Sequence, residues 1–73
     1  MATAFVVRGD HIQLDQLLKA AGLVGSGGEA HAAVEAGRVR VDGKVETRKR
    51  AKMRVGQKVA LGGETLDLVA EQA

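Results

Sequence analysis

RVRVDGKVETRKRAKMRVGQK, residues 38–58, is the stretch on which the fold turns. Its first part alternates: Val39, Val41 and Val45 are apolar, while Arg38, Arg40 and Glu46 are charged. Period-two alternation on both sides of Asp42-Gly43 predicts a β-hairpin. Two registers compete. A two-residue loop sets Arg40 opposite Val45 and mixes the faces. A three-residue loop, Asp42 to Lys44, sets Val41 opposite Val45 and Arg40 opposite Glu46. The second keeps the valines inward and pairs opposite charges outward, so it is the expected register. Thr47 to Lys52 then has no apolar side chain but Ala51 and reads as an exposed loop or irregular strand. Met53 and Val55 are expected back in the core.

Outward toward the N-terminus, Gly37 ends a helical pattern. Ser26-Gly27-Gly28-Glu29 has capping-box spacing, a hydroxyl at the cap and a carboxylate three residues on. The inward positions of that helix are Ala30, Ala33 and Val34, small enough for a close helix–helix contact. Before it, Leu14, Leu17, Leu18 and Ala21 fall on one face of an amphipathic helix. Asp15 suits its first turn, and Gly22 is its natural stop. Thr3 to Arg8 reads as a strand. Toward the C-terminus, Lys58 to Leu61 and Glu64 to Ala70 read as strands joined by a tight turn at Gly62-Gly63. The last residues are expected to fray. The sum is one α+β domain over residues 1–73, two packed helices against a small, mainly antiparallel sheet of about four to five short strands.

Charge follows the same partition. The 38–58 stretch holds nine of the eleven Lys and Arg, opposed by Asp42 and Glu46, for a local charge of +7. The flanks carry −2 before it and −3 after it, so the net charge of +2 hides a steep asymmetry. One-sign charge raises self-repulsion without helping the fold, which points to a polyanion ligand.

Composition narrows the classes further. There is no Cys, Trp or Tyr and a single Phe, so disulfides and thiolate chemistry are excluded. Phe5 sits in an apolar strand and is read as core, which leaves no aromatic platform for stacking single-stranded bases. Neither helix is basic enough for a DNA major groove. His11 and His31, without a spaced carboxylate cluster, make no metal site, and no nucleophile has a base beside it. No cofactor and no catalytic residue is expected. No apolar run reaches membrane-span length, and the start lacks an export-signal pattern. A cytoplasmic domain with no membrane partner is expected.

Four pieces of the chain resemble one family. They are Leu14 to Gly22 (LDQLLKAAG), Ser26 to Ala30 (SGGEA), Glu35 to Val45 (EAGRVRVDGKV) and Val55 to Val59 (VGQKV). Together they look like the RNA-binding domain first named from small-subunit ribosomal protein four. VDGKVETRKRAK and the chain's short length resemble the small standalone bacterial YbcJ-like group. The resemblance implies the αL motif, two helices and a hairpin that form an RNA-contacting surface. Two positions depart from the wider family, which commonly has Arg where this chain has Gln13 and Gly27. The weight of binding is then expected on Arg48-Lys49-Arg50-Lys52.

The expected contacts are Arg38, Arg40, Lys44, Arg48, Lys49, Arg50 and Lys52, together with Ser26, Gly27, Gly28 and His31. Ser26 to Gly28 could seat a phosphate at a helix start or serve as a plain cap closed by Glu29. His31 stands where the family often carries a base. The expected activity is non-enzymatic binding to the backbone of structured RNA, with ribosomal or transfer RNA as candidates. The partner could be the ribosome or an RNA-processing complex, and the chain itself is expected to be a monomer. The alternative is a protein-interaction module docking an acidic partner through the same basic face.

Overall fold

The computed structural model describes residues 2–71. The chain runs β1 (Ala2–Val7), β2 (Ile12–Gln13), α1 (Leu14–Ala20), α2 (Gly27–Glu35), β3 (Val39–Val41), β4 (Lys44–Val45), β5 (Lys52–Met53), β6 (Lys58–Leu61) and β7 (Glu64–Ala70). Five strands form one sheet in the order β1-β7-β6-β3-β4, and β2 pairs with β5 in a separate two-stranded ribbon. All pairings are antiparallel except β1 with β7, which is parallel. Two helices against a mainly antiparallel sheet is the α+β architecture read from the pattern.

Both helices end by the same device. Ahead of Leu23, Gly22 takes φ +77, and the N–H groups of Gly22 and Leu23 donate to the carbonyls of Lys19 and Leu18 at 3.1 and 3.0 Å. Gly37 repeats this at φ +73, with Gly37 and Arg38 donating to Val34 and Ala33. These are paired 5→2 and 6→1 bonds, which satisfy carbonyls a helix end leaves open and favour glycine in the left-handed position. At the start of α2, the Ser26 hydroxyl accepts the Glu29 N–H at 3.2 Å, as the capping box requires. Its return arm differs: the Glu29 carboxylate accepts the N–H of Gly25, at 2.7 Å, not that of Ser26.

The core lies between the helices and one face of the sheet. Leu14, Leu17 and Leu18 of α1 and Ala30, Ala33 and Val34 of α2 join Val7, Val39, Val59, Leu61, Leu66, Leu68, Ala51 and Met53 in one buried cluster. Phe5 is half-buried against it, in keeping with its reading as core. Among the described residues, no helix covers the opposite face of the sheet.

Two expectations fail. The hairpin takes the two-residue register, with Arg40 opposite Val45 and Val41 opposite Lys44. Asp42 and Gly43 both adopt positive φ, 52 and 84, the turn whose twist matches that of the flanking strands. Asp42 is held there by β6, whose Lys58 N–H donates to Asp42 Oδ1 (2.9 Å) and whose Lys58 carbonyl accepts the Asp42 N–H (2.8 Å). Val45 is therefore 46 % exposed beside Arg40. Val55 does not return to the core either; it tops a turn and is 47 % exposed, while Met53 is buried. The fraying expected of the last residues falls on 72 and 73, outside the described residues.

Candidate nucleic-acid interface

The basic segment after β4 is not a free loop. The Leu14 N–H donates to the Ala51 carbonyl at 2.9 Å, and the Asp15 N–H donates to the Lys49 carbonyl at 3.0 Å. One step on, Ile12 pairs with Met53 and Gln13 with Lys52. The backbone of 49–53 is thus fastened to the entrance of α1. Burial fixes which side chains face out: Ala51 and Met53 are sunk, while Lys49, Arg50 and Lys52 are exposed. Arg48, Arg50 and Lys52 rim a shallow open depression floored by Ala51. An alternation of small or apolar with basic residues, anchored at the apolar ones, fixes charge at a surface without burying it.

Two carboxylates organise this surface, and neither stood out in the sequence as part of a site. Asp15 lies between the helices, with its side chain 13 % exposed. Its Oδ2 sits 2.9 Å from His31 Nε2. An ionised carboxylate only accepts, so that ring nitrogen carries the proton. Burial pushes the Asp15 carboxyl up, but the His31 hydrogen bond, the Gln16 N–H and the nearby charges of His31 and Arg50 together hold it below its ordinary range. The carboxylate therefore ties α2 to α1, and the backbone N–H of Asp15 ties α1 to the Lys49 carbonyl. Sequence reasoning gave Asp15 only to the helix dipole; the signal that could have found it is its place in the Leu-Asp-x-Leu-Leu run.

Glu46 is the second. It accepts the N–H groups of Thr47 and Arg48, both at 3.0 Å, and the Arg48 guanidinium through Nε and Nη2, both at 3.2 Å. The Arg48 hydrogen bond outweighs partial burial and holds the Glu46 carboxyl below its usual range, while Glu46 raises the Arg48 pKa in turn. Arg48 is therefore a compensated cation, and one of the two carboxylates counted against the stretch is spent on it. Lys49, Arg50 and Lys52 have no such ion pair within 4.0 Å among the described residues.

The remaining candidates do not all converge. His31 joins the loop through Asp15. Ser26, Gly27 and Gly28 open the same helix, but the Ser26 hydroxyl is engaged as a cap and the Glu29 carboxylate already stands beside that helix start. A Cβ at Gly27 would meet nothing within 4 Å. Arg38 instead lines a groove with Leu23, Ala32, Glu29 and Glu64, away from the loop. Arg40 lies on the open face of the sheet between Val45 and Ala60, in register with both. Lys44 is paired with Val41 and so lies on the other side of the hairpin. Folding therefore divides the basic stretch, leaving Lys49, Arg50 and Lys52 together on the segment bonded to Asp15, the partner of His31.

Residues 5–69 match the sequence model of the S4 domain family. The chain is 44% identical over 70 residues to YbcJ of Escherichia coli (strain K12), named as an RNA-binding protein, covering 96% of this chain and 100% of the relative. YbcJ of Shigella flexneri matches to the same extent. The solution structure of YbcJ from E. coli, described as revealing an αL motif involved in RNA binding, superposes with a TM-score of 0.71. It is 43% identical, covering 92% of this chain and 86% of that one.

Proposed function

Because this chain belongs to the S4 domain family, we propose that it is a non-enzymatic, cytoplasmic RNA-binding protein that grips the backbone of structured RNA through the loop between β4 and β5. Lys49, Arg50 and Lys52 make the main phosphate contacts, Arg48 adds a contact shared with Glu46, and His31 extends the surface onto α2. Ser26 to Gly28, Arg38, Arg40 and Lys44 are secondary contacts at the periphery. Ribosomal or transfer RNA, free or in a larger complex, is the expected ligand class.

The observation that carries this reading is the fastening of the basic segment to α1. Fixed cations lose less freedom on meeting phosphates than a mobile run would, so the geometry favours a surface that recognises backbone shape. Absence of Trp and Tyr, with Phe5 turned inward, supports the same choice against base stacking.

The test is a binding series against a structured RNA, a single-stranded RNA and a DNA duplex at several salt concentrations. Structured RNA should bind tightest, with log affinity falling by about 0.7–0.9 per log unit of salt for each phosphate neutralised. Equal binding to all three, or affinity indifferent to salt, overturns the proposal.

A further inference from the structure

The two edges of the sheet are unlike. β4 is two residues long, carries Lys44 and runs straight into the fastened loop. β1 is six residues, ATAFVV, with no charge and no proline. Its pairing with β7 runs without a bulge from Ala2 opposite Thr65 to Val7 opposite Ala70. Short length, charge, proline and bulges are the devices by which sheet edges resist further pairing, and β1 has none of them.

We propose that two copies of this chain pair through β1, antiparallel about a two-fold axis, joining their five-stranded sheets into one continuous sheet. This inference does not depend on the RNA reading, and it sets aside the monomer expected from the sequence. Facing residues must lie on the same side of the sheet. Ala2, Ala4 and Val6 share the open side, in line with Thr65, Asp67 and Val69; Thr3, Phe5 and Val7 share the core side. An axis at Phe5 meets that condition. It sets Phe5 against its own copy, Thr3 against Val7 and Ala4 against Val6.

Charge selects the occupant. An uncharged edge offers nothing to phosphate or to an acidic peptide, but it meets a copy of itself without repulsion. Arg8, which would fall opposite Ala2, has its counter-ion in its own chain, Glu71 at 3.6 Å. The basic loop follows β4 at the far edge, so the two positive surfaces stay apart. The axis also brings together the chain's only aromatic residue and its copy, an arrangement aromatic cross-strand pairs favour.

Sedimentation equilibrium of the full chain, over a series reaching about 1 mM, tests this. The average mass should rise with concentration from one chain toward two and no further. The double variant Ala4→Lys, Val6→Lys places lysines across the axis from one another. Val6 is 45 % exposed and Ala4 is exposed, so the variant should keep its circular dichroism spectrum and remain single at every concentration. Hydrogen exchange on the unaltered chain gives a reading free of mutation: β1 amides directed away from β7 should gain protection as concentration rises. A single-chain mass throughout, assemblies larger than two, a folded variant that still associates, or β1 exchange indifferent to concentration would each overturn the proposal.

Discussion

At Asp15 and Glu46 a single carboxylate decides how cations are presented. Both are held below their ordinary values of 3.8 and 4.5. The stability they contribute is therefore fully present above those values and is lost as pH falls toward and through the depressed ones. Asp15→Asn should lower the urea midpoint at neutral pH and shrink its fall on acidification; a variant as acid-sensitive as the parent would show that other groups govern the loss. Glu46→Gln still offers an oxygen to the Thr47 and Arg48 N–H groups but releases the guanidinium. RNA affinity should rise a few-fold and its salt slope steepen, both measurable by fluorescence anisotropy. Gly27 gives the converse case. It opens α2 without a positive φ, and a side chain there meets open space. Gly27→Arg should fold as well as the parent and bind RNA more tightly, because it restores a cation the wider family commonly has at that place. Weaker binding would mean that RNA backbone passes too close to Gly27 for a side chain.

Among the elements, the segment running from β4 through the loop into β5 shows where sequence pattern suffices and where it fails. Apolar spacing gave both helices and their buried faces, because a leucine at 14, 17 or 18 has one place to go. The hairpin register was not legible from facing side chains. It was set by the turn: Asp42-Gly43 takes two positive φ values, and β6 anchors Asp42 by two hydrogen bonds. The loop's basic residues were plain in the sequence, but their fastening was not, since it is made by backbone groups of α1 that any residue could supply. That fastening separates two mutational classes. Arg48, Lys49 and Arg50 changed together to Ala should leave the thermal midpoint nearly unchanged and weaken RNA binding by about tenfold or more. Leu17, fully buried under the same helix, should cost about 2–5 kcal/mol as Leu17→Ala. Its binding should be recovered wherever the variant is still folded, as in titrations at low temperature.

Across the whole molecule, folding converts a linear separation of charge into a spatial one. The sequence showed the basic centre and an acidic tail that reads as a strand turned back on β6, but not that β1 would lie parallel along the other side of that strand. Such pairing spans nearly the full sequence and leaves no local pattern to read. Its electrostatic consequence is specific. β7 is three strand spacings from β4, roughly 14 Å along the sheet, beyond the screening length of about 8 Å at physiological salt. Glu64 and Glu71 should then matter to the approach of RNA at low ionic strength and hardly at all to the bound state. The pair Glu64→Gln and Glu71→Gln removes two exposed negative charges; the Arg8 contact it loses is solvent-exposed, at 85%/61%, a kind of pair that contributes little. Stopped-flow association at low salt should be faster than for the parent, and affinity at about 150 mM salt should stay within about twofold. A tenfold gain in affinity at that salt would place bound RNA against β7, and the interface would have to reach well beyond the loop that follows β4.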